Sequence, residues 1–346
     1  MNKILSIIGL FALLTSVTAH AAEDPGRQRG SSSQGKADKT AAVGGQFLKI
    51  GVGARASAMG GAYSAVANDL TSLYWNPAGL ANLHTITAEF DYCQYFADMS
   101  HSFAGASVPI GADFAAGISF TSFGTNAIPV TTIDHPEGTG ATYDINDMAV
   151  GITFAGFLTE QFSFGITAKY INNSIASVSS SGVAFDIGTL YETGIQGIKL
   201  GFAIQNLGGE QEYQGQDLGS QKKLYEELWQ APLDVSYISS AYSLPLIFRA
   251  GVASDIYTQD EHKVTGAFDF ITVSDVAEQY NLGAEYTWND LLSLRAGYQF
   301  GNEQLGFSGG VGIKYLGSGF GGRFDYSISP TANLGLVNRF SIGVTL

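Results

Sequence analysis

The residue types that most often do chemistry are few and scattered in this chain. The five histidines, His20, His84, His101, His135 and His262, show no metal-ligand spacing. No H-E-x-x-H, G-x-S-x-G or paired-cysteine motif occurs. The single cysteine, Cys93, has no internal partner, so the fold does not rest on a disulfide. A phospholipase would need a serine beside His84 or His101, and nothing in the sequence pairs them. Gly51-Val52-Gly53-Ala54-Arg55-Ala56 reads G-x-G-x-x-A, as a dinucleotide-binding turn does, but no βαβ unit follows. Carboxylates such as Glu89, Asp91 and Glu285 remain as acid/base candidates. Their simpler role is pairing with Arg249, Arg295 or Arg339, because structural ion pairs explain such groups as well. The expectation is a protein that is not an enzyme and holds no metal or cofactor.

What elements would position those charges? The chain opens with Lys3, an apolar run from Ile4 to Val17, and small residues at Ala19 and Ala21. That is the pattern of a signal peptide, so residues 1–21 are read as one. Residues 22–45 read as a flexible, polar periplasmic linker or arm. No later run reaches 18 apolar residues, so no spanning helix is expected. Yet hydrophobic residues make up 45%, aromatics 12% and charged residues only 14% of 346 residues. Soluble domains carry roughly 25% charged residues. An exported, charge-poor chain without spanning helices meets lipid through strands, because only helices and closed barrels satisfy every backbone group in hydrocarbon. Formal net charge is −14, which argues against nucleic acid as a partner.

From Thr85 onward the pattern has period two. Phe162, Phe164, Ile166, Ala168 and Tyr170 alternate with Gln161, Ser163, Gly165, Thr167 and Lys169. Fourteen such segments are read, at 85–95, 101–110, 113–123, 147–155, 161–171, 183–192, 197–206, 245–255, 262–271, 279–288, 292–300, 307–316, 321–328 and 338–346. Their apolar faces exceed what the interior of one small soluble barrel holds. The expectation is therefore a 14-stranded antiparallel transmembrane β-barrel over residues 85–346, in the outer membrane of a Gram-negative bacterium. Thirteen charged residues fall on the polar phase and are read as lumen-facing: Glu89, Asp91, Lys169, Asp186, Lys199, Arg249, Asp269, Glu285, Arg295, Lys314, Arg323, Asp325 and Arg339. Long gaps follow strands 3, 5, 7 and 13, short ones follow 4, 6, 10 and 12, and the gap after strand 1 is the exception. The long gap 207–244 contains Leu224, Tyr225, Leu228 and Trp229 at helical spacing, a candidate partner surface in an outer loop.

Residues 46–84 are different: small residues dominate, and the only plausible helices lie here. The run Arg55–Ala67 is compatible with a helix weakened at Gly60-Gly61. Asp69 is placed to cap a short helix through Leu70–Trp75, and Pro77 turns the chain. This segment reads as a small hatch that plugs the barrel.

The stretch GARASAMGGAYSAVANDLTSLYWNPAGL, residues 53–80, resembles the signature of the PorV/PorQ family, a branch of the FadL-like outer-membrane barrels. Asn206-Leu207-Gly208 and the block from Leu244 to Gly251 are similar to that family too. The resemblance implies a fourteen-stranded barrel with an N-terminal hatch. It marks Arg55, Met59, Gly60, Gly61, Asp69, Tyr74, Trp75, Asn76, Pro77 and Gly79 as the hatch motif. It implies one main function, a receptor or shuttle component of type IX protein secretion, with translocon subunits and exported cargo as partners. The alternative it leaves open is a FadL-like passage for hydrophobic small molecules. Outer-membrane lipid surrounds the chain in either case.

Overall fold

A computed structural model describes residues 43–195, 197–222, 233–317 and 319–346. The signal peptide, most of the 22–45 linker, and Leu224, Tyr225, Leu228 and Trp229 lie outside the described residues.

The alternating segments form one closed antiparallel barrel of fourteen strands. They are β1 (Thr87–Gln94), β2 (Ser100–Ile110), β3 (Phe114–Gly124), β4 (Ile145–Thr159), β5 (Phe162–Ile175), β6 (Val178–Glu192) and β7 (Lys199–Gly208). The second half is β8 (Ile247–Gln259), β9 (His262–Val273), β10 (Val276–Trp288), β11 (Leu292–Phe300), β12 (Phe307–Gly317), β13 (Phe320–Pro330) and β14 (Leu336–Thr345). Each strand pairs with its neighbours in sequence, and β1 closes on β14 from Thr87↔Thr345 to Gln94↔Asn338. Closure removes the free edges that lipid cannot satisfy.

Along β1 burial alternates residue by residue, and the other strands follow the same rule. The exposed phase carries Phe90, Ile118, Ile152, Ile166 and Leu294 as the lipid-facing band. The inward phase carries Ser, Thr, Gly and the charged residues.

Several boundaries differ from the sequence reading. The gap expected at 172–182 shrinks to two residues, because Asn172↔Ser181 and Ser174↔Ser179 still pair. Both faces of the ladder are polar there, so the alternation that betrays a strand is gone while its hydrogen bonds persist. The short connection after β1 is a tight turn with Ala97 and Asp98 at positive φ. It lies at the same end as the long connections and remains short there, so the exception stands.

The end holding Thr87 and Thr345 carries only connections of six residues or fewer, whereas the other end carries the two long ones, 125–144 and 209–246, beside short turns such as 176–177 and 274–275, as in outer-membrane barrels with periplasmic turns and outer loops. Val43 bridges Ser243, and the Gly44 amide donates to the Ser243 carbonyl at 3.1 Å. Residues 43–45, expected in a periplasmic linker, therefore sit at the barrel end opposite Thr87 and Thr345.

The hatch runs down through the lumen from there. A 3-10 turn (Gln46–Lys49) leads to α1 (Ala54–Ala58) and α2 (Ser72–Trp75), then a 3-10 helix (Pro77–Asn82) that delivers the chain to β1. The helix expected over 55–67 ends at Ala58. Gly60 and Gly61 at φ 66° and 73° turn the chain into non-helical backbone instead. Pro77–Asn82 is helical rather than a plain turn. Pro77 sits at its first position, and Asn76 caps it by accepting from the Ala78 amide at 3.2 Å.

The two barrel faces predict opposite responses to charge. Ile152→Arg places a cation in the middle of the lipid face and should cost about 2–4 kcal/mol. Ile133→Arg, in a fully exposed outer loop, should cost nothing measurable. Denaturant titration of barrels folded into vesicles reads the difference.

Candidate functional site

The candidate site is the lumen where hatch meets wall. Glycines on the inward phase make the seat. A Cβ on Gly297 would fall on the backbone of Met59 and Gly60, and one on Gly165 would strike Pro77. One on Gly201 would strike Ser64, and one on Gly188 would strike Asn76. Hatch and wall thus touch backbone to backbone, which no larger residue would allow. The hatch core is Met59, Tyr63, Leu70, Leu73, Trp75 and Leu80, closed by Phe103 and small wall alanines.

A single ionic belt ties this plug down. Arg55 grips Glu285 with two bonds, Nε to Oε2 at 2.8 Å and Nη2 to Oε1 at 2.7 Å. Its Nη1 reaches Asn68 at 2.7 Å and Asp69 at 3.2 Å. Arg323, from β13, donates to Asp69 at 2.8 Å and to Glu89 at 2.7 Å, and lies 2.8 Å from Asp325. Arg295 closes the belt between Glu285 at 2.5 Å and Asp325 at 2.6 Å. Asp69 also accepts from the Tyr63 hydroxyl at 2.5 Å and from the Thr71 amide and hydroxyl at 3.1 and 2.5 Å. Burial pushes the Asp69 carboxyl up, but Arg323 and Arg55 outweigh it and hold it far below the usual carboxylate range. Burial raises the Tyr63 phenol. Bidentate, charge-assisted pairs of this kind hold geometry as well as charge.

The remaining charged positions are held separately. Lys169 pairs with Asp186 at 2.8 Å, and Asp186 accepts the Asn206 amide at 2.8 Å. Asn206 stands at φ 62°, where the β6–β7 register shifts between Phe185 and Ile187. Asp269 accepts the Tyr63 and Ser64 amides at 3.1 and 2.9 Å. Lys199 pairs with Glu192, and Lys314 is exposed near the barrel end that holds Thr87 and Thr345. Arg249 and Arg339 do not pair with the carboxylates, as the sequence reading had them do. Arg249 lies 4.7 Å over the Trp75 ring and donates to Gln205 at 3.1 Å, while Arg339 donates to the Gly51 carbonyl at 2.6 Å. The true carboxylate partners are Arg55, Arg295 and Arg323.

The hatch motif residues fall into distinct places. Arg55 and Asp69 are in the belt, and Met59, Gly60 and Gly61 make the close approach to β10 and β11. Tyr74 donates to the Leu48 carbonyl at 3.1 Å and Trp75 to the Val52 carbonyl at 2.9 Å, fixing the upper hatch. Asn76 donates to Ser64 and Thr189 carbonyls at 2.8 and 3.1 Å, which locks the Pro77 turn to β6. Gly79 passes against the Ala67 backbone.

Above the hatch lies a group that the sequence reading did not single out. Phe47 and Leu48 meet Ala149, Ile171, Ala184 and Leu244, with Ile50 and Phe123 packed against them. Ile171 and Phe123 stand on the inward phase of β5 and β3, where Ser, Thr and charge are the rule. An apolar residue out of phase was the available signal. Among the described residues no group of three or more His, Cys, Asp or Glu is arranged to hold a metal.

The sequence matches no protein-family model and no curated protein. Its fold does match solved structures. CymD, a monoaromatic hydrocarbon channel, superposes with a TM-score of 0.59 at 13% identity, over 86% of this chain and 97% of that one. The toluene transporter TodX of Pseudomonas putida gives 0.56 at 12% identity, over 86% and 97%. The toluene transporter TbuX of Ralstonia pickettii gives 0.55 at 12%, over 85% and 97%. The likeness is one of fold, and the PorV/PorQ family is not shown by it.

The belt makes two predictions. Arg323→Ala removes the arginine that Glu89 pairs with and one of the two arginines at Asp69 and at Asp325, and should weaken hatch docking by about 3–5 kcal/mol. Hydrogen exchange of residues 46–84 in the folded barrel reads this as lost protection. Asp69, facing Arg55, Arg323, Tyr63 and Thr71, has a depressed folded pKa. Its contribution is fully present above the unfolded carboxylate value of about 4 and is lost only as pH falls below that. Between pH 7 and about 4.5 wild-type protection should therefore show no loss from this group. Asp69→Asn should already be loosened at pH 7.

Proposed function

We propose that the chain passes hydrophobic small molecules across the outer membrane. The observation that carries this is a packed apolar cup, in which Phe47, Leu48, Ile171 and Leu244 are buried against one another with Ile50 and Phe123 beside them, inside a lumen that is otherwise polar. An aqueous pore gains nothing from such a cluster, whereas an apolar molecule that displaces Phe47 and Leu48 of the hatch gains roughly 25 cal/mol for each Å² of apolar surface it buries there. The hydrocarbon channels of the same fold support the reading, and monoaromatic hydrocarbons are the class to try first.

The ionic belt lies below the cup and is a poor route for an apolar molecule, since crossing it strips charged groups of their partners. The break in the β6–β7 ladder at Asp186 and Asn206 adjoins Ala184 of the cup. In this proposal cargo leaves the cup through that break rather than through the belt. A secretion role rests on the family resemblance of residues 53–80, 206–208 and 244–251, and no described feature favours it over passage.

The test is toluene uptake by cells whose lipopolysaccharide-bearing outer membrane lacks its own hydrocarbon channels. Expression of the chain should raise the rate. Ile171→Asp, which sets a carboxylate in the cup, should reduce the gain at least about tenfold while the barrel still assembles. No gain on expression, or equal rates for both proteins, would sink the proposal.

A further inference from the structure

The apolar cup has a polar rim on one side. On the inward phase Ala149 stands opposite Ile171, and Ile171 opposite Gly182. Ala149 and Ile171 belong to the cup. In the next inward row, nearer the 176–177 turn, Asp147 stands opposite Asn173 and Asn173 opposite Ser180. Gln211 reaches this row from the 209–246 connection, where two backbone bonds to Tyr242, at 2.8 and 2.9 Å, fix it. A Cβ on Gly182 would fall on Gln211 Nε2, so that nitrogen lies directly over the cross-strand partner of Ile171. The Tyr242 ring lies in turn against Gly44, just before Phe47 in the hatch. Two side-chain amides therefore meet at the edge of the apolar cluster.

Only one half of each amide is matched. Gln211 Oε1 accepts from Asn173 Nδ2 at 3.4 Å, from the Tyr242 hydroxyl at 3.2 Å and from the Ser180 hydroxyl at 3.3 Å. Asn173 Nδ2 also donates to the Tyr242 hydroxyl at 3.1 Å. Gln211 Nε2 and Asn173 Oδ1 have no hydrogen-bond partner among the described residues. The two residues are 4% and 1% exposed. Turning both amides over exchanges the roles of their ends and again leaves one donor and one acceptor. Burying such a pair costs free energy, which a group of matching chemistry recovers. A hydroxyl matches it, because one oxygen both donates and accepts. A hydrocarbon offers neither function. A carboxylate only accepts, and here it would stand beside the like charge of Asp147.

We propose that the cup prefers apolar molecules carrying a single hydroxyl, phenols above all, and that Asn173 and Gln211 hold that hydroxyl. This rests on the passage reading and names the substrate class within it. The ring takes the place of Phe47, whose side chain has the size of a toluene molecule, and lies against Ile171 and Leu244. Gln211 Nε2 donates to the phenol oxygen, and the phenol hydroxyl donates to Asn173 Oδ1.

Equilibrium dialysis of the purified full chain in detergent against radiolabelled toluene, p-cresol and p-toluate tests this, with binding to protein-free micelles subtracted. The three probes share a ring and a methyl group and differ only in the group opposite: hydrogen, hydroxyl or carboxylate. The wild-type chain should bind p-cresol most tightly. Gln211→Met and Asn173→Leu should each lower the cresol-to-toluene affinity ratio about tenfold, the scale of one buried hydrogen bond. Gln211→Met alters a connection rather than a barrel strand, so it carries the test if Asn173→Leu does not assemble. A ratio that is the same in the wild type and in the folded variants means that the amides hold water alone, and overturns this inference while hydrocarbon passage stands. p-Toluate bound as tightly as p-cresol overturns it as well. If none of the three binds, the passage reading falls and this inference falls with it.

Discussion

Asp69 is where the hatch is fastened. It takes hydrogen bonds from Arg55 and Tyr63 within the hatch and from Arg323 on the barrel wall. A carboxylate removed from water in this way is stable only if its partners replace what water supplied. Arg323 cannot serve Asp69 without also meeting Glu89 and Asp325, and Arg55 cannot reach it without meeting Glu285. The local requirement of one buried acid therefore propagates to strands β1, β10, β11 and β13. The belt sets how high the hatch sits in the lumen and which face it turns to each strand.

That registration makes the glycine seats useful. Gly60 meets Gly297 only because Arg55, five residues earlier, is anchored on Glu285. Asn76 performs the same service on the far side, bonding a wall carbonyl while capping the Pro77 helix. Between these anchors the contact is close packing of small groups, which is tolerant of little but requires no charge. Polar bonds fix position and glycines supply proximity. Neither would hold the plug without the other.

The sequence showed these parts unequally. Period-two alternation made the strands legible because lipid and lumen impose opposite demands on successive residues. It failed at Asn172–Ser181, where both faces are polar, although the ladder continues. The inward charges were legible by phase, yet their pairings were not. Which arginine meets Glu89 depends on strand register and on hatch height, and neither is written in local spacing. Arg55 shows the difference. It stands in a run of alanines that looks helical, and only the fold reveals that it crosses to β10. The apolar cup was missed because Ile171 and Phe123 were each a single exception within a strand, meaningful only when the hatch brings Phe47 and Leu48 to them.

The lumen is thus divided by chemistry rather than by walls. Its outer part holds a packed apolar cluster, and the belt beneath it holds fixed charge. An apolar molecule that displaced Phe47 and Leu48 would find no favourable next step downward, because the belt's groups are already matched to one another. The strength of the plug and the separation of the two environments then have the same cause: the belt's charges satisfy each other across the hatch.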